Sequence, residues 1–512
     1  MQKMTVVRRS VWFLCVFVVC AGLIVNLLAD CDDDLAQFAD FDVDMSAITD
    51  YETRNYDLLT SEDKAIVDVF SVIGLTVKAP LWYNTKAPSG RDALYLLPYK
   101  ISALQRGGFA FNLFFNMTGN MNVGAKNLLN LGAVNKDMLP SIFKFLTHSS
   151  VELSPAQMSS LLVLVKKITL QERKFGTVIQ AGFMKGPFTI QLNTSIHLAE
   201  RNFWLNPTDQ QEIATQVGGD QGSSLNKDDL VKYRFGLGDT RIKVGLNTLN
   251  MANFQIDFGF ESIMPTSRFS YSPGSNIENK EIDTVKTLED NLRRNLEGVR
   301  DSLIDPSLGN GHFGFGCYME SKAKIFHNLA SIWTRLSYDK LFEGEKIRLM
   351  LYKQTLSPAN LINTIAAVND AGGQPATDVA MAKLRRDGTA FTNEYLVPTA
   401  FKTIVSPGDI VNAVLAVSTD IKKMRFSLGY DFYMQRSEKI KSLISTDVTM
   451  DQLNYIGAQA SLAYQHKVFA EALYVKQFKR CDLSFGLGGD LTLASQGIGK
   501  DWTLYAKLTA SF

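Results

Sequence analysis

Ten charged side chains fall on the polar faces of alternating segments, and together they have the chemistry of a wet, charged wall. Lys232, Arg234, Arg241, Lys243, Lys423 and Arg425 form a basic sector, and Asp257, Glu261, Asp431 and Asp490 an acidic one. Opposed charges across a hydrated pore create a transverse field that biases ion selectivity. The plainer use of the same residues is to pair with one another, as enclosed charges normally do. Glu471 belongs to the acidic set only if its strand is phased against Phe469, Leu473 and Val475, which share its side.

Nucleophilic chemistry has weaker support. Of the five histidines, His148 precedes Ser149-Ser150 in an expected loop, and His312 follows Asn310-Gly311 with no evident serine partner. His197 shares a face with Ser195, but i and i+2 neighbours without a third group do not make a triad. There is no phosphate loop, no CxxC and no His/Cys cluster, so neither an enzyme nor a cofactor nor a metal is expected. Between Asp30 and Asp63 there are twelve acidic residues and one Arg. That segment lacks the glycine and terminal Glu of an EF-hand loop. It reads as a solvated periplasmic lead or a plug folded into the lumen.

Positioning such a wall requires strands. The closing run, Trp502-Thr-Leu-Tyr-Ala-Lys-Leu-Thr-Ala-Ser-Phe512, alternates without interruption, so one face is apolar and the other can be wet. Met424 to Met434, Leu483 to Leu493, Phe254 to Phe260 and Phe188 to Leu198 repeat the pattern. Further segments lie at 107–117, 174–183, 229–237, 240–248, 311–320, 328–338, 346–354, 409–419, 454–465 and 467–478. Fifteen strands result, whereas bacterial membrane barrels have an even number.

Long inserts near 118–172, 264–310 and 355–408 interrupt the meander. In the second, Ile282, Val285, Leu288, Leu292, Leu296, Val299 and Leu303 recur every three or four residues, which predicts an amphipathic helix packed on the rest of the chain. Counting back from the terminal strand places 435–453 at the end that should carry only short turns. Either a strand hides near Leu443 to Val448 or one of the late strands is misplaced.

The start of the chain predicts export. Lys3, Arg8 and Arg9 precede an apolar run from Val11 to Leu28, the layout of a signal peptide with cleavage after Ala29; the run is also long enough for an uncleaved anchor. Leu28-Ala-Asp-Cys31 is similar to a lipoprotein box but carries Asp30 at a position for a small residue. The whole chain has a net charge of +1; without residues 1–29 it keeps 50 cations against 52 acids, a net of −2. Such a balance leaves no basic footprint for nucleic acid. Five cysteines, two of them in the signal region, exclude a disulfide-dense scaffold.

A terminal dyad strand ending on Phe512 resembles the assembly signal of Gram-negative outer-membrane β-barrels. The segment Tyr233 to Gly245, with Gly238-Asp239-Thr240 read as a hairpin turn, resembles parts of the long-chain fatty-acid and hydrophobic-compound transporter group, as do Phe254 to Glu261 and Met264-Pro-Thr-Ser267. The Asn-Pro-Ala-rich amino-terminal hatch of that group has no counterpart here. The expected fold is therefore an all-β transmembrane antiparallel barrel of about 14 strands, within 12 to 16, with long, partly helical inserts. Its expected organisation is a signal at 1–29, an acidic segment at 30–70 and a barrel over 71–512 in the outer membrane. Expected partners are outer-membrane lipid, the barrel assembly machinery and small solutes, and the expected role is passive passage through a polar lumen. The alternatives are a hydrophobic-compound route, or a barrel anchoring surface loops for adhesion or assembly.

Overall fold

The computed structural model describes residues 59–81, 91–97, 107–121, 169–204, 208, 211, 231–251, 253–267, 282–325, 329–370, 374–444, 448–478 and 481–511. The signal region, the acidic lead before Leu59, His148, His327 and Phe512 lie outside the described residues.

The last strand, Lys500–Ser511, shows which way the alternation faces. Leu504 and Leu508 are 58% and 52% exposed, while Thr503 and Lys507 are 0% and 2% exposed. Apolar side chains point outward and polar ones inward, the inverse of a water-soluble sheet. Such a strand is stable only with hydrocarbon outside, where every backbone amide must be paired within a closed sheet. The same belt continues around the wall through Phe109, Phe175, Ile190, Phe235, Phe260, Phe315, Leu428 and Leu487, all exposed.

Closure is complete. The strands in chain order are β1 (Gly108–Met121), β2 (Thr169–Lys185), β3 (Phe188–Trp204), β4 (Val231–Leu237), β5 (Thr240–Met251), β6 (Phe254–Met264), β7 (Gly314–Ile325), β8 (Ala330–Leu341), β9 (Gly344–Tyr352), β10 (Thr399–Ser406), β11 (Ile410–Ile421), β12 (Met424–Gln435), β13 (Lys439–Leu443), β14 (Leu453–Asn454), β15 (Ala463–Gln477), β16 (Asp482–Gln496) and β17 (Lys500–Ser511). Twelve of them form one antiparallel ring in the order β2-β1-β17-β16-β15-β12-β11-β8-β7-β6-β5-β3, closed by β2 against β3. The first and last barrel strands pair along their length, from Gly108 opposite Ser511 to Gly119 opposite Lys500.

Twelve strands are fewer than the fifteen segments in the sequence, for three reasons. The segment 454–465 is not a wall strand: it runs through the end of β14 and a 3₁₀ turn, and only residues 463–465 join 467–477 in β15, which is continuous while β16 opposite carries Leu493 as a bulge. The segments 229–237 and 240–248 are not a hairpin: β4 and β5 both run antiparallel to β3, with Ile196 opposite Leu237 and Asn193 opposite Arg241. They make one line broken at Gly238-Asp239. The segment 346–354 becomes β9, which lies in a separate sheet ordered β13-β10-β9-β14. Removing 454–465 from the wall also restores parity, and the long connection 436–462 moves to the end that carries the other long inserts.

Among the described residues the complete α-helices are α1 (Ser61–Thr76), α2 (Ala93–Leu96), α3 (Val285–Ile304), α4 (Pro358–Asp370) and α5 (Gln374–Phe391). At the long-connection end, α1, α3, α4 and α5 share an apolar core in which Phe70 packs with Ile282, Leu288, Leu361, Leu384 and Phe391. The stripe seen in the sequence thus packs on its own protein, at least through Ile282, Leu288 and Leu292. Helix α1 starts at the Thr60 cap, whose hydroxyl accepts from the Asp63 amide. The four-strand sheet holds a second apolar core around Phe401, Val405 and Leu453.

Candidate functional site

A twelve-strand ring is too wide for its wall side chains alone to meet at the axis without help, and here the chain supplies its own filling. Helix α1 sits at the long-connection end, β1 begins at the short-turn end, and the intervening Arg91–Leu97 lies within the lumen. Its fold is local: the Asp92 carboxylate caps α2 by accepting from the Leu94 amide at 3.0 Å. Four residues of helix then present Leu94 and Leu96 to Phe114, Val178 and Tyr505 on the wall. Tyr95 turns the other way, against Ile263, Leu341, Ile410 and Tyr433.

Polar contacts fix this plug at three places. Arg91 Nη1 lies 2.5 Å from Asp431 Oδ2, with both side chains at 1% exposure or less. Its guanidinium also stands 4.8 Å from the Tyr433 ring centroid. The Arg91 carbonyl accepts from Lys174 Nζ at 2.9 Å. Lys174 pairs with Glu172, which also accepts from Arg201. Tyr95 donates its hydroxyl to Asp339, and the Arg241 guanidinium covers its ring at 3.9 Å.

The residues singled out in the sequence divide between this cluster and the periphery. Arg241, Lys243 and Glu261 come together: Glu261 receives Arg241 at 3.3 Å and Lys243 and Arg335 at 3.5 Å each. Asp431 holds the plug and accepts from Asn412 at 2.8 Å. Asp490 pairs with Lys467 at 2.9 Å. Arg234 makes a bidentate pair with Asp305, and Lys232 lies on the same side of β4. Asp257 is half-buried and accepts from Gln255 at 2.9 Å. Lys423 stands elsewhere, exposed in the two-residue turn after β11, and Arg425 pairs with Asp420 across that hairpin at 2.7 Å. Neither joins the central cluster. Glu471 does face inward and accepts from Tyr505.

Several residues of the lumen carried no sequence signal strong enough to single them out. Lys467 bridges Asp490 and Asp501, and Asp501 is further held by Asn116, Gln465 and Thr492. Asp501 stands one residue before the terminal run and in phase with Thr503, Tyr505 and Lys507, so extending that strand backwards would have found it. Lys467 shares the inward face with Gln465, Phe469, Glu471 and Leu473, and the apolar members of that face obscure its phase. Arg91 and Tyr95 lie in an aperiodic heptapeptide whose partners are distant in the chain.

One wall segment differs from the rest. Among the described residues, β4 has only β3 as a hydrogen-bonded strand neighbour, because β6 pairs with β5 and ends at Met264. At the break, buried Asp239 accepts from the Ser267 hydroxyl and the Gly311 amide, tying the strand to the connection that follows α3. Gly238 is required there: a Cβ would lie 2.1 Å from Ser195 Oγ.

No protein-family model matches the chain, and no curated protein sequence matches it. Among solved structures, the COG4313 outer membrane channel from Pseudomonas putida F1 is 10% identical, with a TM-score of 0.38, over 81% of this chain and 98% of that one. The Pseudomonas putida toluene transporter TodX is 8% identical, with a TM-score of 0.28, over 85% and 99%. The transport unit of the Escherichia coli autotransporter AIDA-I is 7% identical, with a TM-score of 0.32, over 82% and 95%. At such scores these likenesses carry no weight for solute or mechanism. The chain's own closed ring and lipid-facing belt make it a transmembrane β-barrel, the architecture of outer-membrane channels.

Proposed function

We propose that the protein is a gated outer-membrane channel for hydrophilic solutes, closed at rest by its own Arg91–Leu97 segment. The observation that carries this reading is the polar interior: all around the ring, strands turn hydrogen-bonding side chains inward, from Asn112 and Gln180 through Asn193, Lys243, Glu261, Arg335 and Asn412 to Lys467, Thr492 and Thr503. A route for apolar compounds would gain nothing from such a wall. It would also have to strip water from charges already engaged in ion pairs.

Passage requires the plug to move. Its contacts among the described residues include one buried ion pair, a tyrosine–carboxylate and a lysine–carbonyl hydrogen bond, two cation–π contacts and a small apolar patch, whereas the wall is held by continuous strand pairing. The plug is therefore the element that yields first, by the general rule that mobile gating elements have few contacts. Short turns in such barrels face the periplasm, which puts the helical cap and the entry of the plug at the outer surface.

Liposome swelling tests the reading. Vesicles carrying Tyr95→Ala protein should swell in arabinose or other small hydrophilic solutes several times faster than vesicles carrying the wild type. Equal, negligible swelling with a folded barrel in both would overturn it.

A second reading rests on β4. Its edge is unpaired by strands among the described residues, and Tyr233 and Phe235 are exposed beside it. A lateral route for hydrophobic compounds would use that edge, and toluene uptake independent of the plug residues would favour it.

A further inference from the structure

We propose that the cavity under Tyr95 is a binding site for a single small inorganic anion of halide size. The cavity measures about 20 Å³, room for one occupant of water-like dimensions. Arg241, Lys243 and Arg335 line it together with Tyr95, Asn193 and Asn412, and no carboxylate is among its described lining residues. The three cations come from β5 and β8, three places apart in the ring, whose inward positions the alternation fixes. Their exposures of 3%, 4% and 9% take them out of bulk water.

Their acids stand behind them. Glu261 is shared by all three at 3.3 to 3.5 Å, Arg241 also lies 3.2 Å from Asp339, and Arg335 is 3.7 Å from Glu320. These three carboxylates balance the charge from behind but leave donors free on the cavity side. Arg241 Nε and Nη2 and Arg335 Nε are buried and have no hydrogen-bond partner among the described residues. Buried donors without acceptors are costly, and a ligand at the site answers that cost. What faces the cavity is positive charge, N–H donors and amide groups beneath a phenol ring, and that combination selects an anion over a neutral solute or a cation. The small volume excludes a sugar or a nucleotide while the plug is seated.

This inference rests on the channel reading only for its meaning in transport, where it makes the permeant class anionic. Binding itself is independent of conduction. The direct test is ³⁵Cl NMR linewidth of chloride with the purified full chain in detergent, in a gluconate buffer. The wild type should broaden the chloride line in excess of detergent alone, and bromide should reverse it. Lys243→Met should reduce that excess at least fivefold, Lys243→Arg should retain it, and Lys441→Met, in the sheet outside the barrel, should leave it unchanged. If Lys243→Met fails to show the heat-modifiable mobility of a folded barrel, Arg335→Gln gives the same reading. No excess broadening in the wild type, or equal broadening in a folded variant of the cavity, overturns the site. Chloride binding without any solute passage would sink the channel reading alone. Passage without chloride binding would sink the anion site alone.

Discussion

Arg91 and Asp431 are joined at 2.5 Å in the interior of the barrel, one on the plug and the other on β12, neither with more than 1% of its side chain exposed. Such a pair is not a strong source of stability in itself, but breaking it leaves a charge buried without compensation, at a cost of about 3–5 kcal/mol. Asp431→Asn should therefore lower the denaturant midpoint of the detergent-solubilised barrel. The double variant Arg91→Met/Asp431→Leu should recover most of the loss. A neutral Asp431→Asn would show that the plug is not held by this pair.

Lys467 is the second test of the interior. It is fully buried between Asp490 and Asp501, at 2.9 Å from each. Lys467→Met removes the cation that bridges two neighbouring carboxylates, so one of them must take up a proton or the strands must part. The expected loss is again on the order of 3–5 kcal/mol, read from the temperature at which the barrel loses its heat-modifiable gel mobility. Adding Asp490→Asn should restore part of it.

The strand break offers a local prediction. Asp239→Ala would leave the Gly311 amide without its acceptor at 3.0 Å. Hydrogen exchange should then accelerate at Gly311 and Ser267 by tenfold or more, with little change at β1 or β17. Gly238→Ala should be worse than Asp239→Ala, since its Cβ has no space beside Ser195. Exchange that rises uniformly around the ring would contradict a local role for the break.

His312 supplies a pH dependence outside the membrane strands. Burial, with Lys346 nearby, pushes its imidazole down from 6.5 to about 4. Nδ1 donates to the Phe342 carbonyl at 3.1 Å, a bond that both protonation states make and that opposes the shift, so it is burial and Lys346 that keep the ring neutral. Because the folded value lies below the unfolded one, the stabilisation is complete above pH 6.5 and is lost as pH falls from 6.5 toward 4. His312→Gln should flatten that part of the stability profile. A profile with the same slope in both proteins would contradict the assignment.

Membrane-barrel architecture was legible in the sequence because the dyad period is enforced twice, by lipid outside and by the polar lumen inside. Trp502 to Ala510 alone shows both faces. What the period cannot show is where a strand breaks without turning. The run at 454–462 reads as a strand yet forms the end of β14, a 3₁₀ turn and the lead into β15; the break at Gly238-Asp239 has the composition of a hairpin yet continues the same line along β3. The interior cluster was half legible. Arg241, Lys243, Glu261, Asp431 and Asp490 sit on the predicted polar faces, but Lys423 slides into a turn because β12 begins one residue later than the pattern suggests. The plug was not legible at all. Seven residues without period have one local cap, Asp92, and are otherwise held by partners such as Asp339 and Asp431, hundreds of residues away.

The central claim is that Arg91–Leu97 closes a polar channel, and single-channel recording tests it most directly. Wild-type protein in planar bilayers should show a closed baseline with brief openings. Arg91→Ala/Tyr95→Ala, which removes the contacts to Asp431, Asp339 and Arg241 while keeping the ring, should show sustained conductance at least several times higher. Identical currents in the two proteins, both folded by gel mobility, would contradict it.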